Sequence, residues 1–333
     1  MAAKGIRRQV WELAKYGIGV GGLSSVTGPI KEIMDLAYAA QLECPVASAL
    51  MKEGLYELRP VIEECVVRTL KFERDLKFLD ELLNGFGPVL LIKGGGLRFT
   101  LYPDPSLRQS VDIDILVTPS RWDEAANYLI RNGSFENKNL LAQKPLSIHF
   151  GYERVFTHPR MFYSLELHRY PTEPYRFRFP TAVAIGRALR LPPYKNLLVP
   201  NPVDSLLISV IHFAQRGFKQ TLKHALDFHL LCNLHEDSCT KALQEAEELG
   251  FARLFNLTKT LVKGMEDDLP TLYKKITPED SRVLLDLPFT ATISGLLLAP
   301  FMWDSLVEFL RFFWVHSALR TLDRVLDRLD RLL

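Results

Sequence analysis

Apolar positions recur every three or four residues over 6–16, and Gly17, Gly19, Gly21 and Gly22 then break the rhythm, which predicts a weakly attached first helix or a tail. Pro29 followed by Ile30, Ile33, Met34 and Leu36 predicts a second helix, and 46–83, interrupted near Pro60, predicts two more. Residues 88–92 are an unbroken apolar run of strand length. Gly94, Gly95 and Gly96 make a sharp exit from it, and 97–101 reads as the first turn or two of a helix before Pro103. Residues 111–117 are apolar except for Asp112 and Asp114, so a second strand carries two carboxylates on one face. A helix over 121–131 is opened by Thr118-Pro119-Ser120 and closed by Asn132-Gly133. The β-like runs 147–156 and 160–168 flank Thr157-His158-Pro159 and predict a hairpin, so the sheet is mixed.

Seven prolines between 171 and 202 argue against a long helix there and for an extended crossing. Helical spacing returns over 204–234, 238–249 and 251–265, a bundle. It returns again over 303–333, where Phe312, Val315, Leu319, Leu322, Leu326, Leu329 and Leu333 alternate at three and four as a heptad seam. Charge pairs around that stripe largely offset one another, so it must bury against the chain's own bundle or against a second copy, and a homodimer is the expectation. The division that follows is an N-terminal helical region 1–84, a core 85–170, a proline-rich crossing 171–202, a helical bundle 203–302 and a heptad helix 303–333.

Composition changes this picture little. In 333 residues, 47% hydrophobic and 24% charged content is that of a folded globular chain. The net charge of +2 does not announce a nucleic-acid binder, although a local basic groove fits within it. Cys44, Cys65, Cys232 and Cys239 have no metal-ligand spacing and no secretory signal before them, and read as reduced thiols in a cytoplasmic protein. No apolar run reaches the roughly 20 residues of a membrane span. The nearest, 284–303, is broken by Pro288 and Pro300 and leaves peripheral membrane contact as an alternative.

The chemistry lies in Lys93-Gly94-Gly95 and Asp112-x-Asp114. A strand, a glycine turn and a helix N-terminus present free N–H groups and a dipole to a phosphate. Two carboxylates side by side in an apolar strand require a cation. In the later strand-like run Leu165-Glu166-Leu167-His168 the polar pair Glu166 and His168 share a face.

This combination resembles the nucleotidyltransferase superfamily of the DNA polymerase β type. More narrowly, Lys93-Gly94, Leu97, Tyr102, Arg108 and Asp112-x-Asp114 are similar to the group described as uncharacterised nucleotidyltransferases, and Arg108-x-Ser110-x-Asp112-x-Asp114 also resembles the nucleotidyltransferase toxins of the abortive-infection class. The resemblance implies an α+β fold: a polymerase β-type core with a mixed sheet, flanked by N-terminal helices and a C-terminal helical bundle. It implies transfer of a nucleoside monophosphate from an NTP, ATP in the first instance, with a two-ion Mg2+ site. Asp112, Asp114 and Glu166 are the implied metal and catalytic residues, with Glu166 as base or third ligand. Lys93, Gly94, Gly95, Arg108 and Asp227 are the implied nucleotide contacts.

Several of these residues have second readings. Gly96 adds only flexibility in this account. Lys93 and Arg108 serve the triphosphate, or the arginine is the salt-bridge partner of the Asp pair. His168 accepts a proton, orients the acceptor or fills a polar site. The series His212, Gln215, Arg216, Lys219, Lys223 and Asp227 is a solvated helix face or closes over the nucleotide. The acceptor is a protein, a peptide or a small molecule; the toxin-like alternative adds nucleotides to tRNA, and a third reading is an inactive binding protein with the same fold.

Overall fold

The computed structural model of the chain describes residues 2–23, 25–137, 152–172, 177, 179–215 and 221–265. Strands β1 (Val89–Leu91), β2 (Asp112–Leu116), β3 (Phe135–Glu136), β4 (Glu153–Thr157), β5 (Ser164–His168), β6 (Leu189–Arg190) and β7 (Leu197–Val199) form one sheet in the order β3, β4, β5, β2, β1, β7, β6. The β2/β5 and β1/β7 pairs are parallel and the others antiparallel, so the sheet is mixed.

Alternation along the strands sorts side chains between two cores. Val89, Leu91, Ile113, Ile115, Leu165 and Leu167 pack with helices α4 (Arg59–Leu82) and α6 (Trp122–Arg131), through Phe72, Leu76, Leu79, Trp122 and Leu129. Leu90, Ile92 and Leu116 belong to the other core, shared with α1 (Ala2–Gly17), α2 (Ile30–Ala39), α3 (Glu43–Lys52), and the bundle α8 (Pro202–Gln215), α9 (Thr221–Leu234), α10 (Glu236–Glu248) and α11 (Ala252–Lys263). Asp112 and Asp114 have the parity of Leu116. They therefore face the bundle side, at the end of β2 where apolar packing gives way to a cleft.

Three expectations change. The first helix is no tail: Val10, Trp11, Leu13 and Ala14 are buried, and Gly17 lets α1 end against α3, where a Cβ would stand 1.9 Å from the Pro45 carbonyl oxygen. The proline-rich stretch is more than a crossing, since it carries α7 (Thr181–Gly186), β6 and β7. The residues of β7, Leu197-Leu198-Val199, contain no proline and keep every ladder N–H, so β7 pairs with β1. The cysteines are paired, Cys44 with Cys65 between α3 and α4 at a Cα separation of 6.1 Å and Cys232 with Cys239 across the α9–α10 junction at 5.1 Å. Sequence spacing could not show this, because the first pair depends on how two helices pack.

The heptad segment 303–333 and the dimer expected through it, the apolar run 284–303, Arg216, Lys219 and the start of the 147–156 run lie outside the described residues. Among the described helices none is long and apolar enough to cross a membrane.

Candidate active site

Helix α5 (Lys93–Thr100) begins at Lys93, so the three glycines form its first turn instead of preceding it. The left-handed position of the turn falls on Lys93, at φ +55°, a conformation that costs a non-glycine residue about 1–2 kcal/mol. The glycines are required by close approach. A Cβ on Gly96 would lie 2.6 Å from the Leu91 carbonyl oxygen, and one on Gly94 would lie 3.0 Å from Arg108 Nη1. Gly96 is thus a packing residue, not a source of flexibility. Gly94 faces the cleft, whereas Gly95 faces Leu91 and Phe72.

Parallel pairing sets Asp114 opposite Glu166 and Asp112 opposite Ser164, and the next pair on the same face is Leu116 with His168. Asp114, Glu166 and His168 each bring one ligand atom within 4.8 Å of the others. The Lys93 ammonium stands among them: Nζ is 2.6 Å from Asp114 Oδ1, 3.4 Å from His168 Nε2 and 3.9 Å from Glu166 Oε2. His168 Nε2 is 2.9 Å from Asp114 Oδ1 and 3.5 Å from Glu166 Oε2. On its other side, Nδ1 is buried without a hydrogen bond, 3.8 Å from Glu153 Oε2. Glu153 is opposite His168 in the β4/β5 register, which the alternation within one strand cannot reveal.

Charge is uneven across this group. Burial raises Asp112, and the Asp114 and Glu166 carboxylates add to it, so its carboxyl is pushed up to about 6. Burial also opposes ionisation of Asp114, but Lys93 and His168 outweigh it and hold the carboxyl well below the usual range. Burial opposes the charged form of Lys93 too, yet the Asp114 carboxylate keeps the ammonium above its ordinary value. An acidic cluster that already gathers a buried cation fits a divalent ion in donor type and charge. Asp114, Glu166 and His168 could hold one, with Asp112 two residues along the same strand face.

The opposite wall of the cleft, whose volume is about 170 Å³, comes from α8 and α9 with Ile208, His212, Lys223 and Asp227. Asp227 lies against Arg108: Arg108 Nη2 donates to Oδ2 at 2.7 Å, Nε donates to Oδ1 at 2.9 Å, and the Tyr102 hydroxyl donates to Oδ1 at 2.7 Å. Burial and the neighbouring Asp227 charge raise the Tyr102 phenol well above its ordinary value. The aspartate that Arg108 pairs with is 119 residues away along the chain and is neither Asp112 nor Asp114. Lys223 Nζ donates to Gln41 Oε1, bringing the end of α2 to the same cleft. Nothing in the sequence marked Gln41, whereas Tyr102 stood within the motif without an assigned task.

No curated protein and no solved structure matches the chain. A family model described as uncharacterised nucleotidyltransferase matches residues 30–265, which takes in β1, the glycine turn, both carboxylate strands and the bundle helices α8 to α11. The chain belongs to that uncharacterised nucleotidyltransferase family.

Proposed function

We propose that the protein is an enzyme that moves a nucleoside monophosphate from an NTP, ATP in the first instance, to a protein, peptide or small-molecule acceptor and releases pyrophosphate. The observation that carries this reading is the convergence of Asp112, Asp114 and Glu166 on one sheet face, the two aspartates lining a cleft that the N-terminal turn of α5 also lines. Asp112, Asp114 and Glu166 would hold Mg2+. Divalent ions bound there activate an attacking oxygen and offset charge on the triphosphate and the leaving pyrophosphate.

The chain's own groups supply the rest. Backbone N–H groups of the Gly94–Gly95 turn, at the positive end of the α5 dipole, donate to phosphate oxygens. Lys223 adds positive charge from the opposite wall, and its effect on Asp112 is to lower the carboxyl. Glu166, whose side chain is 22% exposed, is placed beside Asp114 to receive the proton of the acceptor hydroxyl. Helices α8 and α9 close the cleft over the reacting atoms and limit water.

Incubating the purified full chain with each α-labelled NTP, Mg2+ and a cell extract tests this. The expected result is label that survives denaturation on a protease-sensitive or small-molecule product. RNase-sensitive label would identify the tRNA-directed alternative, and absence of label with every NTP would reject transfer in favour of a binding protein.

A further inference from the structure

The cation already inside the acidic group has a consequence for how metal enters, resting on the reading above that this group holds metal. A divalent ion bound to the Asp114 carboxylate takes up a position roughly 2.0–2.6 Å from its oxygens. Lys93 Nζ occupies the approach to that oxygen at 2.6 Å and also faces Glu166 and His168. An ammonium and a divalent ion do not share these donors well: both would lie within a few ångströms of Asp114 Oδ1, and like charges at such separation repel strongly in a partly desolvated site. His168 adds no negative charge to relieve the repulsion.

Lys93 is equipped to leave. Its side chain is 12% exposed and lines the cleft along with Gly94 and Asp112. Its ammonium is a compact point charge on a flexible stem, bound by no planar fork. Once off Asp114, the same charge lies in the cleft where the proposed triphosphate carries its negative charge.

We propose that Lys93 is the resident cation of the metal centre and that a divalent ion enters by displacing it, so that free metal binds weakly and metal and nucleotide bind together. Lys93 thereby acts as a positioning residue whose charge passes from Asp114 to the polyphosphate when the centre fills.

The test is direct Mn2+ titration of the full chain, following the free-ion paramagnetic resonance signal, with no nucleotide and no turnover. Lys93→Met should bind Mn2+ at least tenfold more tightly than wild type, and Lys93→Arg should remain as weak as wild type. A non-hydrolysable α,β-methylene NTP should tighten Mn2+ binding at least tenfold in wild type and much less in Lys93→Met. Lys93→Gln, which still donates to Asp114 but carries no charge, gives the same reading if the Met variant does not fold. A folded Lys93→Met or Lys93→Gln protein with Mn2+ affinity equal to or below wild type would overturn the displacement. Because no transfer is measured, that failure would leave the nucleotidyltransferase reading standing, and failure to transfer label would leave the metal result standing.

Discussion

Two buried aspartates, Asp114 and Asp227, face the same cleft from opposite walls, each 2% exposed and each in an ion pair, at 2.6 and 2.7 Å. Their surroundings differ in kind. Asp227 receives the planar fork of Arg108 on both oxygens and a tyrosine hydroxyl as well, which satisfies the pair in fixed geometry. At Asp114 the side-chain hydrogen bonds converge on Oδ1, from a lysine ammonium and an imidazole that are also near Glu166. A closed fork fastens the bundle to the sheet, whereas a shared point charge leaves donors that another cation can take. Similar burial and charge thus make a tether on one wall and, in the proposed function, a metal centre on the other.

The comparison breaks most visibly at Asp114. Replacing it with Asn keeps its shape and removes the charge that would hold a metal, so nucleotidyl transfer should fall by about three orders of magnitude or more. The melting temperature should move by only a few degrees; activity within about tenfold of wild type would remove Asp114 from the chemistry. Asp227→Ala should do the reverse. It strands a buried guanidinium, and stability measured by urea unfolding should drop by about 3–5 kcal/mol. Replacing both partners, as Arg108→Met with Asp227→Leu, should recover much of that loss, and a single-variant cost below about 1 kcal/mol would show that the fork does not tether.

Smaller effects sharpen the chemical wall. Glu166→Gln should slow transfer more than a hundredfold, while Glu153→Gln, acting through His168, should slow it by about tenfold, within the range for groups that orient a ligating histidine. Glu153 would have served as an inert control if strand position alone were known; its place beside His168 rules that out. Equal losses in the two variants would mean that Glu166 has no closer part than Glu153.

The smallest effect is on stability against pH. Asp112 is held at about 6 in the fold, above the ordinary value of 3.8, so the folded chain binds more protons than the unfolded chain between those values. Stability contributed by this group therefore falls as pH rises through that window, and the penalty is complete above it. Asp112→Asn should raise the metal-free melting temperature at pH 7.5 and lose that advantage by pH 4. An advantage that persists at pH 4 would assign the gain to something other than the charge.

Much of the core was legible because strand parity is local. The alternation that buries Ile113 and Ile115 fixes Asp112 and Asp114 on the other face, and the pattern around Lys93-Gly94 and Arg108 named the family. What the sequence hid depends on tertiary neighbours. The α1 residues looked marginal because their burial needs α2 and α3 folded against them, with Trp11 also meeting His229 of α9, and β7 looked like linker because three residues between prolines show no period. The helix over 204–234 is two helices, α8 and α9. The Arg108–Asp227 pair and the Cys44–Cys65 link follow from packing between segments far apart in the chain.

The central claim, that the Asp114 wall carries nucleotidyl transfer, is tested most directly by comparing α- and γ-labelled ATP in parallel with the full chain, divalent metal and extract. The account predicts that α-label alone reaches the acceptor, that γ-label leaves as pyrophosphate, and that chelation or Asp114→Asn abolishes both. Label reaching the acceptor from the γ position, or α-label transferred equally well by Asp114→Asn, would contradict it.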